Sequence, residues 1–145
     1  MSNPQDVWNS YKDLLKKSYI DKSFDAWRDL WANECRFVVK YGKQRKDGFE
    51  EEEHIGRDKI VSFFSGSSGK IEIDFKDDGP VYETKNKPDT FLVISNFIAT
   101  IIKSGYRYEN RIVCQVTLDG QEKIEKMVEY ADPIKRQAFL KELGV

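Results

Sequence analysis

The sequence predicts an α+β domain in which N-terminal helices pack against one face of a curved, mainly antiparallel sheet. Three observations lead to this prediction. Apolar residues recur at helical spacing near the N-terminus, the apolar spacing changes to two after residue 70, and a short helical pattern closes the chain. The 145 residues fit one domain, and we expect residues 1–145 to form a single unit.

Two helices are expected in the first third of the chain. Asn3 and Pro4 are typical of a helix start, and an apolar stripe follows them. A second helix, after residue 21 or 23, is expected to carry Trp27 and Trp31 on one face. A short strand over 36–41, a solvated polar hairpin or loop over 42–53 that holds no site, and a helix over 57–64 follow.

The C-terminal half reads as a β meander. The predicted segments are strands at 71–75, 81–85, 90–103, 106–118 and 122–130, and a helix at 134–143. A strand of about 13 residues spans more than 40 Å, roughly twice the usual length, and strands that long coil. A coiled sheet around helices forms a half-cone, which leaves a hollow unless large side chains fill it.

Composition excludes several classes of protein. There are 24 Lys and Arg against 25 Asp and Glu, so nucleic acid is not an expected partner. No apolar run is long enough to span a membrane, and no secretory signal is visible, so a cytoplasmic location is expected. Cys35 and Cys114 are distant in sequence, and no metal-ligand or phosphate-loop motif occurs. We therefore expect neither a metal nor a cofactor.

Glu129 is the first candidate for chemistry. Alternation along the last strand places Glu125, Met127 and Glu129 on one face, with Ile124 on the other. If the Glu129 face lines the hollow, loss of hydration raises the pKa of Glu129 and makes it a proton donor or acceptor near neutral pH. The alternative is a solvated glutamate, or one paired with Lys123 or Arg111.

Other polar residues have two interpretations each. Asn110 shares an otherwise apolar face with Tyr108, and it either binds a ligand or satisfies the backbone of a curved strand. Asn96 poses the same question. His54 follows several glutamates that would raise its pKa, and it is either a weak catalytic candidate or an exposed loop histidine.

Aromatic side chains on the helices suit a small apolar or aromatic ligand. Tyr11, Trp27 and Trp31 would line the helix side of the hollow, although aromatic residues at helical spacing are more often part of a core. Val113, Gln115 and Thr117 alternate with the Asn110 face. If that second face is convex, it is a plausible surface for a homodimer.

Several segments together resemble SnoaL-like proteins of the NTF2-like superfamily, most closely the phenazine-biosynthesis branch. The segment 105–133 is similar to the last two strands of that branch, and GRDKIVSFF and WRDLWANE are similar to its helices. The matching pieces of the first segment are Tyr108-Glu109-Asn110, Asp119-Gly120, Ile124 and Glu129-Tyr130. The resemblance implies a cone-shaped α+β barrel with a deep pocket, usually dimeric through the convex sheet face.

The resemblance also implies acid/base chemistry on a small molecule. In the phenazine-biosynthesis branch a glutamate near the end of the last strand carries protons, and that position is Glu129 here. A histidine on the GRDKIVSFF helix acts with it in the branch, and that position is Phe63 here, so one proton carrier is missing. Phe63 is instead a candidate contact for a ligand.

These expectations support a cofactor-free isomerase, cyclase or dehydratase acting on a small, largely apolar carbonyl compound. Glu129 would transfer the proton, and Asn110, Asn96 or His54 would orient the substrate or stabilise an oxyanion. The alternatives are a pocket that binds a small ligand without chemistry, or a protein-interaction module whose cone is filled.

Overall fold

A computed structural model describes residues 3–145. The helices are α1 (Pro4–Asp21), α2 (Asp25–Arg28), α3 (Arg57–Ser65) and α4 (Pro133–Leu143). The strands are β1 (Trp31–Arg45), β2 (Gly48–Ile55), β3 (Ile71–Lys76), β4 (Tyr82–Thr84), β5 (Lys87–Ile101), β6 (Arg107–Leu118) and β7 (Ile124–Tyr130). The predicted α+β class with helices against a curved sheet is confirmed.

The strands form one unclosed sheet in the order β2-β1-β7-β6-β5-β3, with β4 beside β5. The pair β1–β7 is parallel, and the other pairs are antiparallel. The two long strands, β5 with 15 residues and β6 with 12, pair along most of their length. The inner face of the sheet and the buried face of α1 enclose the core.

Helix α1 forms as the sequence predicts. The Asn3 side chain accepts a hydrogen bond from the Asp6 backbone N–H at 2.9 Å, and Pro4 follows as the first helical residue. The buried side chains are Trp8, Tyr11, Leu15, Ser18 and Tyr19. Trp8 stacks on Tyr11 with ring centres 5.3 Å apart.

The predicted second helix is wrong beyond Arg28. Helix α2 ends there, and Trp31 is the first residue of β1. Trp31 pairs with Ile124 of β7, whose backbone N–H donates to the carbonyl of Leu30 at 2.9 Å. Sheet pairing therefore overrides the helical spacing of Trp27 and Trp31, and it extends the first strand well beyond the predicted 36–41.

The alternation predicted for β7 holds at one end of the strand only. Met127 and Glu129 share a face as expected, and that face is the inner one, but Ile124 is buried and Glu125 is exposed. The register with β6 shifts between Thr117 and Leu118, which reverses the alternation before Met127. The strand also begins two residues later than predicted, because Asp119 bonds the backbone N–H groups of residues 121 and 123.

Asn110 fixes the start of α4 against the sheet. Its Nδ2 donates to the Asp132 carbonyl at 3.0 Å and to the Tyr108 hydroxyl at 2.7 Å, and its Oδ1 accepts from the Asp132 N–H at 3.1 Å. The Asp132 carboxylate in turn caps α4 by accepting from Ile134 N at 2.9 Å. Phe139 of α4 then stacks on Tyr108 with ring centres 4.6 Å apart.

We expect Asn110→Ala to lower the free energy of unfolding by about 2–3 kcal/mol, because Asp132 and Tyr108 lose buried partners. Asn96→Ala is the matched control. Asn96 bonds Asp77 and Arg111 on the outer side of the sheet, and its loss should lower stability by less than about 1 kcal/mol. Urea unfolding measures both values, and equal losses would contradict the anchoring role of Asn110.

Candidate functional site

A cavity of about 480 Å³ lies between the inner face of the sheet, α1 and α4. Aromatic residues are the largest group in its wall, and apolar residues from the end of α4 close one side. The aromatic lining residues are Trp8, Tyr11, Tyr19, Phe37, Phe63, Phe64, Phe75, Phe97, Tyr108 and Phe139. The half-cone expected from the long strands is therefore hollow, and its volume suits a drug-sized molecule.

Glu129 belongs to a row of inner-face residues that crosses the sheet. Val39 of β1 pairs with Glu52 of β2 on one side and with Glu129 of β7 on the other, and Glu129 pairs with Cys114 of β6. Because paired residues point to the same face, Glu52, Glu129 and Cys114 all line the cavity. The carboxyl group thus reaches the cavity from the sheet floor.

The Glu129 carboxylate has no hydrogen bond and no ion pair with any residue in the range 3–145. It is half-buried, and it lines the cavity. Burial raises the pKa of Glu129 to about 6, and the charge of Arg136 only partly opposes that rise. A carboxyl group with this pKa exchanges protons readily near neutral pH.

Two tyrosine hydroxyls face the same cavity. Tyr11 is 4% exposed, and its hydroxyl has no hydrogen-bond partner within the described chain. Burial and the neighbouring Cys114 and Glu129 raise the pKa of Tyr11. The Tyr108 hydroxyl accepts from Asn110, so its own proton remains available, and burial raises the pKa of Tyr108 as well. Both hydroxyls are therefore neutral donors at neutral pH.

Arg136 and Glu52 form the charged edge of the cavity. Nη2 of Arg136 lies 3.1 Å from Oε2 of Glu52, and Nη1 donates to the Gly42 carbonyl at 2.9 Å. Both side chains line the cavity. The hairpin over 42–53 is thus present as predicted, but the prediction that it holds no site residue is wrong for Glu52.

His54 lies in β2 and is half-buried, whereas an exposed loop position or a catalytic position was expected. Its ring packs against Phe63 with centres 4.1 Å apart and the ring planes tilted by 34°. Nε2 is 3.8 Å from Oε2 of Glu52, which is beyond hydrogen-bonding distance. Burial lowers the pKa of His54, the opposite of the rise expected from the glutamates, because desolvation outweighs Glu52.

The structure brings together four of the candidates named from the sequence: Glu129, Tyr11, Tyr108 and Phe63 all line the cavity. The others lie elsewhere. Trp27 and Trp31 are fully buried in the core beneath α1, Asn110 supports α4, and Asn96 bonds outer-face residues. His54 lies behind Phe63.

Sequence reasoning missed Glu52, Arg136 and Trp8 at this site. Glu52 stands in a run of four glutamates, and nothing in that run distinguishes the member that faces inward. Arg136 lies on a helix whose orientation depends on the Asn110 anchor.

Within residues 3–145, no three His, Cys, Asp or Glu side chains lie close enough together to hold a metal ion.

Comparison with protein-family models gives no match, and comparison with curated proteins gives none either. Solved structures do match. A Mycobacterium tuberculosis protein in complex with estradiol-17β-hemisuccinate aligns over 91% of this chain and 95% of its own, with 16% identity and a TM-score of 0.72. An NTF2-like protein from Burkholderia xenovorans LB400 aligns over 92% of both chains, with 14% identity and a TM-score of 0.67. The chain has the NTF2-like fold.

A third matching structure is a phenazine biosynthesis-related protein from Pseudomonas aeruginosa. It aligns over 100% of this chain and 88% of its own, with 18% identity and a TM-score of 0.62. This similarity extends over the part of the chain outside the motifs at 105–133.

None of the helices formed by residues 3–145 combines the length and apolar character needed to cross a membrane.

The raised pKa of Glu129 predicts a specific dependence of stability on pH. The folded-state pKa of about 6 exceeds the unfolded value of about 4.3, so protonated Glu129 stabilises the fold below about pH 4.3, and that contribution is lost as pH rises through 6. Between pH 4.3 and 7.5, the unfolding free energy of Glu129→Gln should rise relative to wild type by about 2 kcal/mol.

Urea unfolding at a series of pH values measures this difference. Glu125→Gln, an exposed glutamate on the same strand, should follow the wild-type curve throughout. Parallel pH profiles for wild type and Glu129→Gln would show that the carboxyl group at 129 is fully hydrated.

Proposed function

We propose that the protein binds a small, largely apolar carbonyl compound in the cavity and acts on it by acid/base chemistry at Glu129. The observation that carries the proposal is the position of this carboxyl group. It stands without a partner on the floor of an aromatic cavity, where burial raises the pKa of Glu129 to about 6. A pKa near the working pH is what a group that both accepts and donates a proton needs.

The cavity suits the proposed ligand in size and chemistry. About 480 Å³ with aromatic walls accommodates a planar or polycyclic molecule. The M. tuberculosis neighbour, with the same fold, holds a steroid ester. A ligand of this kind would displace water from the floor and strengthen its electrostatic interactions with Glu129.

The proposed mechanism uses groups of this chain only. Ionised Glu129 removes a proton from the carbon beside the substrate carbonyl and returns it at another position. The hydroxyls of Tyr11 and Tyr108 donate hydrogen bonds to the oxygen on which negative charge develops. The tyrosines take the place expected for Asn110 and Asn96, because both amides are already engaged by protein groups. Isomerisation, cyclisation and dehydration all begin in this way.

We also propose that the chain belongs with the SnoaL-like proteins, near the phenazine-biosynthesis branch. The motifs at 105–133 and the structural neighbour from P. aeruginosa support this placement. Phe63 stands where the branch has a histidine, so a reaction here proceeds with one proton carrier fewer.

A second function, ligand binding without turnover, is favoured by the surroundings of His54. Phe63 lies against its ring, and its buried Nε2 has no hydrogen-bond partner among residues 3–145, so this histidine is not placed to act together with Glu129. A protein-interaction module with a filled cone is disfavoured, because the cone holds an open cavity.

We further propose that the protein is a homodimer formed through the outer face of the sheet. Ile94, Val113 and Tyr130 form one cross-strand row on that face, and Leu92, Gln115 and Val128 form the next. An apolar row with polar neighbours is typical of such an interface.

The free cysteines Cys35 and Cys114 are compatible with a reducing, cytoplasmic location.

Proton exchange on a model ketone tests the chemistry without knowledge of the natural substrate. Wild-type protein should accelerate exchange of the α-protons of 2-tetralone in D2O, followed by NMR. Glu129→Gln should lose about 10²–10⁴-fold of that acceleration, because the amide cannot accept the proton. Glu125→Gln, the exposed neighbour on β7, should retain it.

Two results would count against the chemical proposal: no acceleration by the wild-type protein, or equal acceleration by Glu129→Gln. A thermal shift with 2-tetralone in the absence of exchange would favour binding without turnover.

Sedimentation equilibrium tests the dimer. Wild type should sediment as a dimer, and Val113→Lys should sediment as a monomer, because a charge on the apolar row has no partner across the interface. Ser62→Lys, an exposed residue of α3 on the other side of the molecule, is the control and should remain dimeric. A monomeric wild-type protein would refute this interface.

A further inference from the structure

The cavity contains two carboxylates and one guanidinium close to both. Arg136, whose side chain is 11% exposed, donates to Glu52 at 3.1 Å and to the Gly42 carbonyl at 2.9 Å. Arg136 and Glu129 line the same cavity, and the charge of Arg136 partly opposes the rise in the pKa of Glu129, yet no hydrogen bond joins the two side chains. Glu52 and Glu129 flank Val39 on the inner face of the sheet, and Glu52 is the carboxylate that holds the cation.

The backbone around Gly42 is shaped to hold this cation. The register between β1 and β2 shifts between Val39 and Lys43, which frees the Gly42 carbonyl from the regular ladder. A Cβ atom at 42 would lie 2.6 Å from Cβ of Glu52 and 3.2 Å from its Oε2. Only glycine leaves space for the Glu52 side chain to reach Arg136 here.

We propose that Glu52 and the carbonyl of Gly42 are positioning groups that hold the Arg136 guanidinium and keep it from pairing with Glu129. The inference rests on the proposed function, because it explains how Glu129 remains able to carry a proton. A direct ion pair with Arg136 would stabilise the ionised form and leave Glu129 a permanent carboxylate at neutral pH. Glu52 thus acts on the reaction through Arg136.

Other ionisable groups around Glu129 do not supply a competing charge. Tyr11 on α1 and Tyr108 and Cys114 on β6 are neutral, because burial raises the pKa of each. His54 on β2 is neutral at pH 7, because burial lowers its pKa. Lys70 also lines the cavity, but as an exposed residue in contact with solvent.

The pKa of Glu129 itself is the readout that separates positioning from support of the fold. It can be measured by NMR titration of 13C-labelled glutamate carboxyl groups, with Glu129→Gln used to assign the signal. Glu52→Met keeps the approximate size of the side chain and removes the acceptor. We expect the pKa of Glu129 to fall by about 1 or more in this variant, as Arg136 turns to the remaining carboxylate.

Two further variants identify the cause of the shift. Arg136→Met should raise the pKa of Glu129. The double variant Glu52→Met/Arg136→Met should show no fall relative to Arg136→Met, because the cation is gone. Glu51→Met is the matched control: Glu51 adjoins Glu52 in sequence but pairs outward with Lys40 at 2.6 Å, so the pKa of Glu129 should not change. Glu52→Gln should show a smaller fall in the same direction, which provides a second test should Glu52→Met fold poorly.

An unchanged or raised pKa of Glu129 in both Glu52 variants would overturn the inference. A fall that persists in the double variant would also overturn it, since loss of the charge at 52 would then suffice without movement of Arg136. The NMR titration requires no turnover, so it fails or succeeds independently of proton exchange on 2-tetralone. The positioning role and the proposed reaction are therefore tested separately.

Discussion

The constraint on which the site depends is the burial of one carboxyl group that has no hydrogen-bond partner among residues 3–145. Placing Glu129 in a hollow without a hydrogen bond destabilises the ionised form, and the pKa rises to about 6 as a result. The fold tolerates this because one face of the carboxyl group meets the cavity and not protein. If side chains filled the cavity, a glutamate at this position would need a hydrogen-bond or ion-pair partner, and without one an apolar residue would be more stable there.

The curvature of the sheet makes that hollow possible, and the aromatic residues keep it from collapsing. Strands as long as β5 and β6 coil, so the inner face bends away from α1. Rings of Trp8, Tyr11 and Phe75 then brace one another by stacked and edge-on contacts and do not reach across the gap. The same rings lower the local dielectric around Glu129. The residues that hold the cavity open therefore also raise the pKa of Glu129.

Much of the fold follows from local sequence, because periodicity and turn chemistry act over short distances. Helix α1 begins at Asn3-Pro4 as predicted, and the helix predicted at 134–143 forms as α4. Alternation puts Glu129 and Met127 on one face of the last strand, but it does not determine that this face is the inner one. Errors arise where distant pairing decides: Trp31 joins a strand because Ile124 is beside it, and a register shift exchanges the environments of Ile124 and Glu125. Glu52 could not be chosen from its run of glutamates, because strand register selects it.

The polar part of the site shows why a motif at one position does not define its chemistry. Glu52, Glu129 and Arg136 come from β2, β7 and α4, and the sheet register and the Asn110 anchor bring them together. A carboxylate in this hollow has either of two states: paired with the guanidinium and permanently ionised, or unpaired and titrating near neutrality. Which state exists depends on the acceptors that hold Arg136, and thus on a glycine and a glutamate in a surface hairpin. Proton affinity at residue 129 is therefore a property of the whole assembly of β2, β7 and α4, and a glutamate at that position is necessary for it but not sufficient.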